Sequence, residues 1–164
     1  MERREFITLD EIKKEYEKFQ KKYNLPGFTE LNKFFDIEEI DIETEFLLRK
    51  VRRIISDRIT GYLKFIEIIL NPINSPIFFL KLIEKLDNED KKILDEINNT
   101  LGKTEIDILK LDLEYNEKDE AEFIKRIFNL FNDDIRFKFM NIIEKFSNGK
   151  GVIKKENNNR SYCG

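Results

Sequence analysis

The chain contains no histidine and a single cysteine, Cys163, next to its last residue. The first absence removes Ser-His-Asp and Cys-His nucleophile systems, HExxH zinc sites and the Glu-x-x-His pairs of di-iron bundles. The second removes cysteine-held zinc and iron–sulfur sites and any intrachain disulfide. It suits a reducing compartment, and the cytoplasm is the expected location. Cys163 stands second from the end, so it makes no CaaX box, and no role is assigned to it. No apolar run approaches the roughly 18 residues that a membrane span needs. The opening MERREFITLDEIKKEY has no apolar segment of the kind a secretory signal carries, so no membrane partner is expected. Alanine and glutamine occur once each, at Ala121 and Gln20, while Ile, Lys, Asn, Glu and Phe abound. Base composition of an AT-rich genome accounts for that bias.

What is present is apolar bulk and balanced charge. The 164 residues are 40% hydrophobic, with 15 Phe, which supplies a core without staples. A chain of this length is expected to be one domain that buries roughly 70% of its unfolded surface. The 30 Lys+Arg set against 33 Asp+Glu leave a formal net charge of −3. That balance argues against a nucleic-acid coat, so DNA is not an expected partner, but it leaves room for a local basic patch.

Periodicity predicts helices throughout. Thr8 and Glu11 form a capping box, and Leu9, Ile12, Tyr16, Phe19 and Tyr23 then follow 3–4 spacing until Asn24-Leu25-Pro26-Gly27 enforces a loop. Thr29 is the expected cap of a short helix through Phe35, and Ile37, Ile40 and Ile42 pin a connector. A long helix is expected from about 44 to 70. At about 100° per residue, Leu47, Val51, Ile54, Ile55, Ile59, Tyr62, Ile66 and Ile69 share one arc, and Glu45, Arg49, Arg52, Arg53, Ser56, Thr60, Lys64 and Glu67 lie opposite. Asn71-Pro72 breaks it. Ser75-Pro76 opens the next helix, about 76–86, whose only polar stripe is Lys81, Glu84, Lys85 and Asn88.

These two apolar helices, joined by NPINSP, predict the central hairpin of an all-α, single-domain bundle of about six to seven helices. Beyond them, 88–101 reads as a helix closed by Gly102 at C′. The stretch TEIDILKLDLEY, 104–115, reads as a separate short helix, because Leu109 breaks the alternation of a strand. Ile124, Phe128, Phe131, Ile135, Phe139, Ile142 and Phe146 predict a long final helix, with Asn132-Asp133-Asp134 as the place for a kink. Residues 1–147 form the expected helical domain and 148–164 a disordered polar tail.

Few motifs carry chemistry, and no cofactor is expected. Gly102-Lys103-Thr104 resembles the end of a phosphate loop, but the required earlier glycine is Ile97 and no strand precedes it. Acids at helical spacing, Glu84/Asp87 and Glu117/Glu120, could hold magnesium among phosphates if they faced one another. Helix-dipole complementarity explains Glu117 and Glu120 without a ligand, so no metal site is expected. Arg49, Lys50, Arg52 and Arg53 form the densest basic cluster on what reads as an exposed stripe. They are the candidate partner- or phosphate-binding residues, and i,i+4 pairing on a solvated face is the plainer explanation. Arg58 falls near the middle of the apolar arc. It is expected to be buried in an ion pair, with Asp90 and Glu117 as candidate partners, or to line a pocket. The N-x-[ST] matches at Asn98 and Asn159 carry no weight in a cytosolic chain.

Together these features favour a non-enzymatic protein-interaction or adaptor module that binds another protein or itself. One alternative is an accessory RNA- or ribosome-binding protein using the basic helix face. The other is a Mg-dependent all-α hydrolase of nucleotides or phosphoesters.

Overall fold

The computed structural model describes residues 8–40, 45–73 and 75–147, and among them every regular element is helical. The expected tail 148–164, Ile42 and the expected start of the long helix at 44 lie outside the described residues, as do Asn159 and Cys163.

Helix α1 (Leu9–Tyr23) begins at the Thr8/Glu11 capping box and ends at Asn24, whose left-handed backbone (φ 52°) lets its N–H reach Gln20. The Tyr16 hydroxyl donates to the Pro26 carbonyl at 2.9 Å, tying the loop back onto the helix. Helix α2 (Phe28–Phe35) starts two residues earlier than expected. Its cap is Gly27, whose N–H donates to Glu30 at 2.9 Å, and Thr29 sits exposed within the first turn. A short 3₁₀ turn, Ile37–Glu39, follows, with Ile37 and Ile40 buried beneath it.

Helix α3 (Leu47–Leu70) is the hub: α2, α4, α5, α6 and the 3₁₀ turn all pack on it. It stops at Asn71, before Pro72, as the break predicts. The short helix α4 (Ile77–Ile83) is entered through Pro76. Ser75 does not cap it; its hydroxyl donates instead to the Ile68 carbonyl and closes the turn on the end of α3.

Helix α5 (Asn88–Leu113) corrects the expectation of a stop at Gly102, because it runs on without interruption through that residue and absorbs 104–113. Its buried positions, Asp90, Leu94, Ile97, Leu101, Thr104, Ile108 and Leu111, alternate spacings of four and three along its whole length. Packing that seam on α3 holds the helix together across the glycine, whose local preference is worth only about 1 kcal/mol. Thr104 occupies a core position in the seam, and its hydroxyl is satisfied by the Leu101 carbonyl. The resemblance to a phosphate loop ends there.

Helix α6 (Glu117–Leu130) is capped by Asn116, continues through a π turn (Phe131–Ile135) and becomes α7 (Arg136–Ser147). The expected kink site is therefore a local widening of one long helix. Cross-links fix the direction of the neighbours. Arg49 bonds the Leu111 carbonyl and Thr60 bonds Glu105, so α3 and α5 are antiparallel. Lys138 pairs with Glu96 and Lys145 with Asp87 and Asp90, so α7 also runs antiparallel to α5.

The molecule is thus an all-α bundle, but only one limb of the expected central hairpin is central. Ile66 and Ile69 of α3 are 0% and 1% exposed, whereas no residue of α4 is fully buried. α4 rests on the bundle through the half-buried Phe79 and Ile83, with Phe79 edge-on to Phe65 of α3 at 6.2 Å between ring centres, and Leu86 is buried just beyond it. No helix among the described residues is long and apolar enough to cross a membrane.

Candidate functional site

The basic cluster does not lie on an outer stripe. Arg52 is 1% exposed, inside the junction of α3, α5 and α6. Its Nε donates to Glu120 at 2.9 Å and its second terminal nitrogen to Asp112 at 2.7 Å. Glu120 is itself wholly buried and also accepts from Arg49 Nε at 3.3 Å. Arg49 further donates to the Leu111 carbonyl and lies over the Tyr115 ring. Burial alone would lower the Arg52 pKa, but the hydrogen bonds to Glu120 and Asp112 outweigh it and raise the pKa, so the guanidinium stays charged. Two arginines and two acids therefore lock three helices together. Lys50 is half-buried and engaged, and Arg53, 3.9 Å from Asp112, is the one cation of the four that is predominantly solvent-facing. As a phosphate grip, the set has little left to offer.

Arg58 also departs from expectation. It is 38% exposed and reaches sideways to Asp36 at 2.8 Å and Glu39 at 3.6 Å, across the junction of α2 with the 3₁₀ turn. Its proposed partners are engaged elsewhere. Asp90 is buried and takes Lys145, while Glu117 takes Lys22 at 2.7 Å and the Tyr23 hydroxyl at 2.6 Å. Those hydrogen bonds, the one from Lys22 first, hold the Glu117 carboxyl below its ordinary range, and the same contact pushes Lys22 up to about 12.

The four acids considered for magnesium are not gathered. Asp87 caps α5 through the Asp90 N–H, Glu84 is exposed at the end of α4, Glu117 ties α6 to α1, and Glu120 is inside the arginine lock. No group of three or more metal-ligating side chains occurs among the described residues.

What the molecule does present is apolar surface gathered on helix faces. At the α3–α4 turn and along α4, Ile73, Ile77, Phe78 and Leu80 are 90%, 73%, 65% and 41% exposed. Lys81, Glu84 and Lys85 stand exposed around them. Along the outer side of α5, Ile106, Leu109 and Leu113 are all exposed. A groove of about 230 Å³ beside the π turn is lined by Phe34, Tyr62, Phe131, Phe139 and Met140, with Lys33 and Arg136 at its rim. That volume suits one inserted apolar side chain. The sequence pattern placed Ile77, Phe78 and Leu80 in the interior hairpin, because apolar periodicity does not say which of two apolar faces turns inward. The chain matches no family model, no curated protein and no solved structure.

Proposed function

We propose that this protein is a non-enzymatic interaction module that docks a partner protein on the outward face of α4 and the turn before it. The observation that carries the reading is the exposed group Ile73, Ile77, Phe78 and Leu80 on a helix with no fully buried residue. Together these side chains present on the order of 450 Å² of apolar surface, within the range of the largest patches that ordinary monomers leave uncovered. Their arrangement, an apolar centre rimmed by Lys81, Glu84 and Lys85, has the anatomy of a protein interface. The rim carries both signs, which suits neither a phosphate backbone nor an anionic lipid surface. The RNA reading loses support because Arg49 and Arg52 are engaged with Glu120 and Asp112. The hydrolase reading loses support because its acids are dispersed. A reducing, cytoplasmic setting remains part of the proposal.

Affinity capture with the full chain and with its Phe78→Glu variant, side by side from the native cell extract, tests the reading. Phe78 is exposed, so the variant is expected to melt with the wild type while losing the captured protein. A partner retained equally by both would move the docking face elsewhere. Retention of RNA with affinity falling steeply in salt would replace the reading with the nucleic-acid one.

A further inference from the structure

Helix α5 carries two heptad seams. The inner one, Asp90 to Leu111, packs on the bundle. The outer one is Gly102, Ile106, Leu109 and Leu113, spaced four, three and four. Its three side chains are 56%, 59% and 89% exposed. About 100° per residue sets this outer line roughly 140° around the helix from the inner seam, so it projects away from α3 and α6. Asp95 and Asn99 occupy the same line nearer the N-terminus, so the apolar stretch is confined to the last three turns, roughly 17 Å long.

Gly102 adds a second observation. A glycine inside a helix costs about 1 kcal/mol relative to alanine. Nothing within the molecule requires it, since a Cβ there would find no atom within 4 Å. Gly61 in α3 is equally open, but the apolar residues in line with it, Phe65 and Ile68, are half-buried, and Phe65 already packs on Phe79 and Phe146. At Gly102 the missing side chain lies in line with the seam, where it permits close approach of another helix.

The flanking charges identify that helix. With Ile106 and Leu113 as a positions and Gly102 and Leu109 as d positions, Lys103 and Lys110 fall at e and Glu105 and Asp112 at g. A second copy laid antiparallel would set lysine against lysine and acid against acid. A second copy laid parallel sets Glu105 of each chain against Lys110 of the other, twice by symmetry. Lys110 is exposed, with only Asp107 at 3.8 Å, and Glu105 at the seam's edge holds the Thr60 hydroxyl at 2.9 Å.

We infer that the protein self-associates as a parallel two-fold dimer through the outer seam of α5. The contact buries roughly 500 Å² per copy, near the lower limit for a specific interface, so the dimer is weak and reversible. The inference rests on the interaction reading but uses a face remote from α4, on the opposite half of α3's length.

Sedimentation velocity on the full chain up to roughly 100 µM is expected to show a concentration-dependent monomer–dimer exchange. Leu109→Glu is expected to weaken it by at least about 100-fold, because each copy would then bury a carboxylate at the seam, with the melting temperature unchanged. Glu105→Lys is expected to weaken it about tenfold, and adding Lys110→Glu to restore it. In a Cys163→Ser background, Leu113→Cys is expected to form a disulfide with its own counterpart on mild oxidation. A chain that stays monomeric throughout, a dimer indifferent to Leu109→Glu, or efficient crosslinking only between Ile106→Cys and Leu109→Cys copies would each overturn the inference. Phe78→Glu is expected to leave the dimer intact, so loss of this proposal and loss of the α4 docking face are separate outcomes.

Discussion

The C-terminal half of α3 and the whole of α4 come from one apolar stretch, 62–86, yet they meet opposite environments. Ile66 and Ile69 are sealed between α3 and its neighbours, while Ile77 and Phe78, a few residues on, stand mostly in solvent. Composition does not separate them. Number of neighbours does: α3 packs against five other elements, whereas α4 packs principally on α3. A helix covered on several sides buries its whole apolar arc. A helix covered on one side half-buries one edge of that arc and displays the remainder, which is how one stretch supplies both core and the proposed docking face.

The sharpest test of the contrast falls on the most protected site. Glu120→Ala leaves the Arg52 guanidinium buried with only Asp112 to face it. It is expected to destabilise by about 3–5 kcal/mol in a denaturant titration. Replacing both partners, Arg52→Met with Glu120→Leu, is expected to recover most of that loss, because well-packed apolar groups remove the desolvation penalty. If Glu120→Ala were as mild as a surface change, the lock would not be holding α3 to α6.

Next comes truncation on each limb of the stretch. Ile66→Ala is expected to cost about 2–4 kcal/mol, since it removes buried methylenes and leaves a cavity. Ile77→Ala, at 73% exposure, is expected to change stability by no more than about 0.5 kcal/mol. Equal losses in the two variants would mean that α4 is held far more tightly than its packing indicates.

Gly102→Ala is expected to stabilise the monomer by about 0.5–1 kcal/mol, measured in dilute solution. A loss of stability instead would reveal an intramolecular need for the glycine.

The smallest effect is on acid. Among the described residues, three carboxyls sit below their ordinary values. Glu117 is held down by Lys22 and Tyr23, Asp87 first by the Asp90 N–H, and Glu11 first by the Thr8 N–H. A depressed folded pKa gives stability that is complete above the unfolded values of 4.5 for Glu and 3.8 for Asp, and that is lost as pH falls through the folded ones. The melting temperature is therefore expected to be flat between about pH 5 and about pH 9, to decline below about pH 4, and to decline again above about pH 10, where the raised Lys22 and Tyr16 lose their contribution. Glu117→Gln is expected to make that acid limb shallower, and an unchanged slope would mean that the Lys22 contact does not survive in solution.

Much of the local architecture could be read from residues alone. The Thr8/Glu11 cap, the Pro72 break and the apolar line from Ile124 to Phe146 all depend on neighbours within one or two turns. The stop assigned to Gly102 failed because a local glycine preference was weighed without the heptad seam that runs across it, a seam visible as Ile97, Leu101, Thr104 and Ile108. Arg52 and Arg58 were misplaced for a different reason. The buried arc of α3 is rotated toward Leu48, Arg52 and Ser56 by the joint packing of α5 and α6. A scale that counts arginine as surface cannot register that rotation.

By itself the sequence determined where most helices form and break, Gly102 excepted, because caps, prolines and hydrophobic period act through bonds a few residues long. Only the tertiary structure decided which face of each helix turns inward. Arg52 is buried because Glu120, 68 residues away, arrives with a carboxylate, and Phe78 is exposed because no second helix among the described residues covers it. Contacts of that range are set by the assembly of the whole chain, and no local pattern encodes them.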